Sequence, residues 1–251
     1  MHRSDLREHL LTSRLAGAVA TSRAENLQAI RQLLLGGADD WLGVRKQHDY
    51  TVYDVLRVMA QRCGVHPDPA KTDGPDTIDV ELTLDAIDAT AARLAAAARG
   101  KERVFAGTGH PIGVSGIYGP VLAALRRAGC QVLTPRSGLR VDSDGGGRTL
   151  RYADGVALLS RYGLVRHSHS AAPMQALLSS GLEPDLVIAD HGWAGAAGAV
   201  GIDVVAFADS NDPALFVAAD EGSISVVVPL DDNLRGRTYR PITAALIAAI
   251  S

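Results

Sequence analysis

From residue 101 onward the chain alternates short β-branched runs with Ala-rich stretches of helical period, and this alternation narrows the possible folds more than any other feature. Strands are expected near 102–107, 130–134, 163–168, 185–190, 203–209 and 224–229. Helices are expected between them near 114–128, 171–180, 193–200 and 212–221, with a last one near 241–250. Connections this short suit right-handed crossovers, so the expectation is a Rossmann-like three-layer αβα domain with a mostly parallel sheet. One interruption is foreseen at 138–153, where two β-rich runs flank a Gly-rich turn and read as a hairpin. Before residue 100 the period is helical: Leu6, Leu10, Leu11 and Leu15 recur on one face, as do Leu27, Ile30, Leu33 and Leu34, and then Val52, Val55, Leu56 and Met59. Breakers gather at 64–75, which reads as a loop or linker, and a further helix carries Ile87, Ala91, Leu94 and Ala98 up to Gly100. The organisation expected is a helical N-terminal region or cap over 1–100 and an α/β domain carrying the site over 101–251.

Charge excludes several partners. With 25 basic and 28 acidic residues spread along the chain and a net charge of −3, there is no field suited to nucleic acid or to an anionic membrane. No apolar run approaches the length of a membrane span, and the N-terminus mixes acids with bases and leads into no long apolar segment. Cys63 and Cys130 lie in apolar segments and read as free thiols, so a cytoplasmic protein is expected. Formation of a homo-oligomer is left open.

In open α/β sheets ligands bind outside the carboxyl ends of the strands, so the residues just after each expected strand carry the most information. They are Gly107-Thr108-Gly109-His110, Thr134-Pro135-Arg136-Ser137, His167-Ser168-His169-Ser170, Asp190-His191-Gly192, Asp209-Ser210-Asn211-Asp212 and Asp231-Asp232-Asn233. Ser170, Asn211 and Asp212 are also natural helix N-caps, but capping has no use for four histidines. Gly107, Thr108 and Gly109 offer backbone amides to a phosphate or carboxylate, or simply a tight turn. The spacing fails the dinucleotide fingerprint at Val114, and no Walker lysine follows. His167 and His169, two apart on an extended segment, project to one side and suit a shared metal or substrate, with His110 and His191 at neighbouring strand ends. Asp190, Asp209, Asn211 and Asp212 supply the hard oxygens that Mg²⁺ or Mn²⁺ prefers, and a mixed His/Asp site takes Zn²⁺ equally. Arg136 is either a fork for a substrate phosphate or carboxylate, or half of a surface salt bridge.

Three tempting motifs read as structural. Asp142-Ser143-Asp144-Gly145 has the look of a Ca²⁺-loop fragment, but it sits on the hairpin turn without the downstream Glu. Gly113-Val114-Ser115-Gly116 lacks the spacing of a nucleophile elbow, and Ser115 suits a helix cap better. His48, Asp49, Tyr50 and Tyr53 beside Trp41 read as ordinary helix packing rather than a substrate wall.

The runs GTGHP, RHSHS, PDLVIADHGWAG, ADSNDPALF and VPLDDN resemble a bacterial, mainly actinobacterial, family described as phosphatase, over nearly the whole chain. More distantly, the helical N-terminal part and PDLVIA ahead of a Gly-rich helix start are similar to the metal-dependent damage-control phosphatases. In that second group an Asp-Asn pair after one strand and an Asp after another hold the metal. Here Thr108-Gly109-His110 ends the first strand, and Asp190 and the 209–212 cluster offer the comparable oxygens. The resemblance implies a metal-dependent phosphatase acting on a small phosphorylated metabolite, with Asp190, Asp209, Asn211 and Asp212 at the metal. The strand-end reading adds Thr108, Gly109 and Arg136 on the phosphate, and His110, His167, His169 and His191 as acid, base or further ligand. A lyase or cyclase working on a small carboxylic acid, and a non-catalytic module for a sugar phosphate or nucleotide, share the same strand-end pattern.

Overall fold

A computed structural model describes residues 2–37, 40–135 and 137–250. The N-terminal elements are α1 (Arg3–Thr12), β1 (Gly17–Ser22), α2 (Arg23–Leu35), α3 (Val52–Arg62), β2 (Pro75–Ile78) and α4 (Val80–Gly100). Their starts are set by side chains that satisfy the orphan amides of a first turn. Ser22 accepts from the Glu25 amide while Glu25 accepts from that of Ser22, and Thr51 and Asp54 repeat this box at α3. Asp79 caps α4 by accepting from the amides of Glu81 and Leu82. The expected helices are present, but β1 and β2 correct the all-helical reading. They pair antiparallel, with Gly17 opposite Ile78 and Ala18 opposite Thr77. The breaker-rich loop ahead of β2 is pinned by Arg23, whose wholly buried guanidinium donates to the Lys71 and Asp68 carbonyls and, at 3.0 Å, to the Asp76 carboxylate.

The second half holds β3 (Arg103–Gly107), α5 (Ser115–Arg127), β4 (Gln131–Val132), β5 (Arg140–Ser143), β6 (Gly146–Ala153), β7 (Val156–Arg161) and β8 (Leu164–Arg166). It continues through α6 (Ala172–Ser179), β9 (Leu186–Ala189), α7 (His191–Gly198), β10 (Asp203–Ala208), α8 (Pro213–Asp220), β11 (Val226–Pro229) and α9 (Arg240–Ile250). The sheet runs β11-β10-β9-β3-β7-β6-β5, with β4 also on β3 and β8 also on β7. Strands β3, β4, β7, β9, β10 and β11 are parallel, and β5, β6 and β8 are antiparallel additions. One face carries α4, α5 and α9, and the other carries α6, α7 and α8 with α2 and α3 packed outside α8. Buried apolar side chains from before and after residue 100 form one cluster.

The strand expected at 163–168 needs correction, and the correction places the site. The parallel partner of the β3 end is β7, which joins it only where Ala157 stands beside Gly107 and then runs on past the carboxyl edge of the sheet. From there β8 turns back antiparallel, Arg166 opposite Leu159, and returns the chain to the end of β3. The Ser168 amide bonds the Gly109 carbonyl at 3.1 Å, so His167 and His169 hang over the strand ends on a loop fixed at its centre. The expected hairpin is formed by β5 and β6, with Ser143 opposite Gly146 and Asp144 and Gly145 both at positive φ.

Candidate functional site

Four strand ends and one returning loop converge above the sheet. His110 follows β3, His167 and His169 follow β8, His191 begins α7 straight after β9, Asp212 precedes α8 after β10, and Asp232 follows β11. His191 has a left-handed backbone (φ 43°), a conformation that costs a non-glycine residue about 1–3 kcal/mol and that packing must enforce. The packing is tight enough to do so. Every residue of α7 is buried, and a Cβ on Gly192 would collide with the Ser170 backbone. A Cβ on Gly109 would meet the Ser168 carbonyl and, at 2.6 Å, His191 Nδ1. Gly107 leaves the space that the Trp193 ring fills.

The imidazoles form a continuous array. Ring centroids stand 4.2 Å apart for His110 and His167, 4.5 Å for His110 and His191, and 4.1 Å for His169 and His191. His167 and His169 approach to 3.1 Å between their Nε2 atoms. Carboxylates lie around them: His191 Nε2 is 3.3 Å from Asp212 and 3.6 Å from Asp232, His191 Nδ1 is 3.6 Å from Asp190, and His110 Nδ1 is 3.1 Å from Asp232. Two groups have ligand atoms all within 4.8 Å of one another, His110 with His167 and His191, and His169 with His191 and Asp212. Yet these contacts fall short of hydrogen-bond geometry at His110 Nδ1, His191 Nδ1, Asp212 Oδ2 and Asp232 Oδ2, all of them buried. Buried polar atoms are ordinarily hydrogen-bonded, so this concentration of charge pairs without aligned hydrogen bonds is a cost that a ligand would relieve.

The charge states follow from the surroundings. Burial disfavours a charged His191, but Asp212, Asp190 and Asp232 outweigh it and carry its pKa up to about 10. Burial works against the proton on His110 as well, and Asp232 overcomes it, leaving the pKa raised. His167 is lowered to about 3, chiefly by packing around the ring and then by His110, and His169 to about 4 by packing and then His191. At neutral pH both are uncharged, one ring donating to the other between their Nε2 atoms, and each opens to the cleft on one side. Burial raises Asp232, and raises Asp209 to about 7 with Asp232 adding to the effect. Asp212, buried but facing His191, is lowered.

The strand-end expectations divide. Asp212 stands at the N-cap of α8 without making a capping bond and faces His191 instead. Asp190 is fully buried and already committed, accepting from the Thr108 hydroxyl and the Gly109 amide at 2.5 Å each and from Tyr118 at 3.2 Å. The Thr108 amide bonds the Ala157 carbonyl, so these two amides hold the site together rather than point outward. Asp209 is likewise engaged, by Thr21 at 2.6 Å and by the Ser210 amide at 2.6 Å. Asn211 lines the cleft, and Arg136 lies outside the described residues. Sequence reasoning did not reach Thr21 and Glu25, which β1 and α2 bring to the cleft wall, because only the fold joins residues that far apart. Asp232 had a signal, its place after the last strand. Asp144, taken for a plain turn residue, accepts from Ser143 and Ser168 and pairs with Arg148, which also bonds the His167 carbonyl.

Two adjoining clefts open here. One, of about 350 Å³, is walled by the histidines with Thr21, Asp209 and Asp232. The other, of about 520 Å³, shares Glu25, His169 and Asn211 with the first and extends along α2 under the β5–β6 turn. Across both linings the charged groups among the described residues are carboxylates and histidines.

Comparison with known proteins gives a consistent result. A family model described as Phosphatase matches residues 1–251. A protein of Streptomyces coelicolor named Phosphatase SCO2771 is 46% identical over 253 residues, covering 98% of this chain and 95% of its own length.

Proposed function

The chain belongs to this phosphatase family, and on that premise we propose that it is a metal-dependent phosphomonoesterase acting on a small phosphorylated metabolite. The observation that carries the reading is the set of buried atoms on His110, His191, Asp212 and Asp232 that pair by charge without hydrogen-bond geometry, gathered beside two neutral imidazoles. A phosphate dianion entering a cleft walled by carboxylates is repelled unless a cation accompanies it. His169, His191 and Asp212, with His167 adjoining, are the residues that would hold such a cation, which would take the place of the proton on His191. A donor set this rich in imidazole favours Zn²⁺, Mn²⁺ or Co²⁺ over Mg²⁺, which prefers oxygen alone. When bound, the cation supplies charge against the phosphoryl oxygens and acidifies the attacking water.

The protein's own residues do the rest. Asp190 spans Thr108 and Gly109 on one side and lies beside His191 on the other, which fixes the His191 ring. Asp144 and Arg148 hold the loop that carries His167 and His169. Asp232 holds His110 at 3.1 Å, and His110 gives a proton to the leaving oxygen. The segment from Leu15 to Glu25 closes the cleft, tied to the last strand end by the Asp231 amide on the Leu15 carbonyl and to β10 by Thr21 on Asp209.

The test is phosphate release from a broad panel of phosphate esters by protein stripped with chelator and then given single divalent metals. Release that requires one of the imidazole-favouring metals supports the reading. Equal release by stripped protein removes the metal, and no release with any metal moves the site to the lyase or binding-module class.

A further inference from the structure

The larger cleft is not needed for a phosphoryl group, which the histidine-lined one accommodates, and its chemistry indicates what else the substrate carries. This inference rests on the phosphatase reading above. Along α2, Glu25, Gln28 and Gln32 fall on one face at spacings of three and four residues, and all three line this cleft. Gln28 and Gln32 are exposed to it, and among the described residues neither amide makes a hydrogen bond to the protein. A carboxamide offers a donor and an acceptor together, which matches a hydroxyl that also does both. The same cleft is lined by Asp144 at the hairpin turn and by Asp40, which accepts from the Gly37 amide just past the end of α2, with Asn211 at the junction of the two clefts. Glu25 is held below its ordinary pKa by the hydrogen bonds from Ser22, so it stays ionised. A substrate bringing a second anionic group into this cleft would meet the carboxylates of Glu25, Asp40 and Asp212, with Asp144 already paired with Arg148.

We infer that the larger cleft seats an uncharged polyhydroxylated leaving group, so that the substrates are monophosphate esters of sugars or polyols, with Gln28 and Gln32 selecting them through their hydroxyls. The volume of about 520 Å³ lies in the range of small-molecule sites and holds a monosaccharide with its water. The reaction is ordinary ester hydrolysis: water adds to phosphorus, the bond from phosphorus to the alcohol oxygen breaks, and that oxygen leaves with a proton as the free polyol.

The experiment compares kcat/KM for the metal-loaded enzyme on hexose, pentose and inositol monophosphates with that on sugar bisphosphates, phosphoglycerate and p-nitrophenyl phosphate. It is then repeated with Q28A/Q32A, a double substitution at exposed helix positions where alanine sustains the helix. A preference of tenfold or more for the neutral polyol monoesters over the bisphosphates and phosphoglycerate is expected. The double variant is expected to lower kcat/KM on the polyol esters about tenfold more than on p-nitrophenyl phosphate. Bisphosphates or phosphoglycerate cleaved as well as the polyol monoesters, or a loss in the variant that is equal on all esters, would overturn the leaving-group assignment alone. If no ester is cleaved, p-nitrophenyl phosphate included, the catalytic reading fails and takes this inference with it.

Discussion

Asp76 is the residue whose removal should be most damaging away from the cleft. It is buried, and its carboxylate accepts from Arg23 at 3.0 Å, from the Asn26 amide at 2.9 Å and from the backbone amides of Thr77 and His66. Substituting Asp76→Ala leaves the buried Arg23 guanidinium without its counter-charge, which costs about 3–5 kcal/mol where one partner of a buried pair is lost. The orphaned amides add to this, though not in simple sum. For a chain of this size each kcal/mol lowers Tm by about 2–4 °C, so a fall of roughly 6–20 °C is expected by differential scanning calorimetry. The hydrogen bonds from Asn26 and Arg23 outweigh burial and keep Asp76 below its ordinary pKa. Its contribution is therefore present above the unfolded carboxylate value of about 4 and is lost as pH falls through the lower folded value. The gap between the two melting curves should be full at pH 7 and narrow below about pH 4. A Tm within 2 °C of the parent at pH 7, or a gap that does not change with acidification, would refute this reasoning.

Two further perturbations probe the joints of the site. Gly109→Ala places a methyl group against the Ser168 carbonyl and His191 Nδ1, so either the loop at 167–169 or the buried His191 ring must move. Overpacking of this kind costs about 1–3 kcal/mol, and thermal melts with phosphate-release assays should show both a lower Tm and a large loss of turnover. Thr21→Val removes the hydroxyl that donates to Asp209 while keeping its shape. About 1–3 kcal/mol of stability should be lost, and a pulse of limited proteolysis should find the segment between α1 and α2 cut faster than in the parent.

Much of this architecture was legible because strands such as Leu186–Ala189 and Asp203–Ala208 are continuous apolar runs bounded by turn residues, the pattern of a strand buried on both faces. The strand β7 escaped notice for a physical reason. Its Val156-Ala157-Leu158-Leu159 run is short and rich in helix formers, so periodicity alone does not assign it, and the neighbouring 163–168 segment took its place in the reading. Strand β1, built from Gly17, Ala18, Val19 and Ala20, carries little β-propensity and is held by its pairing with β2. The four histidines were visible from their strand-end positions, and the fold does bring them together. What the sequence did not reveal is how the acids divide. Asp190 and Asp209 are spent on protein hydrogen bonds, whereas Asp212 and Asp232 pair by charge with the imidazoles. That division depends on which amides the packed backbone presents to each carboxylate, a property of the tertiary structure alone.

The most direct test of the account is to strip the parent protein, His191→Ala and Asp212→Ala with chelator, reload each with Zn²⁺ or Mn²⁺, and measure metal content by elemental analysis after gel filtration and affinity by titration calorimetry. The account predicts at least one ion retained per parent chain, a rise in Tm on loading, and affinity weakened tenfold or more in each variant. A folded parent protein that retains no ion and whose Tm does not respond to either metal would contradict it.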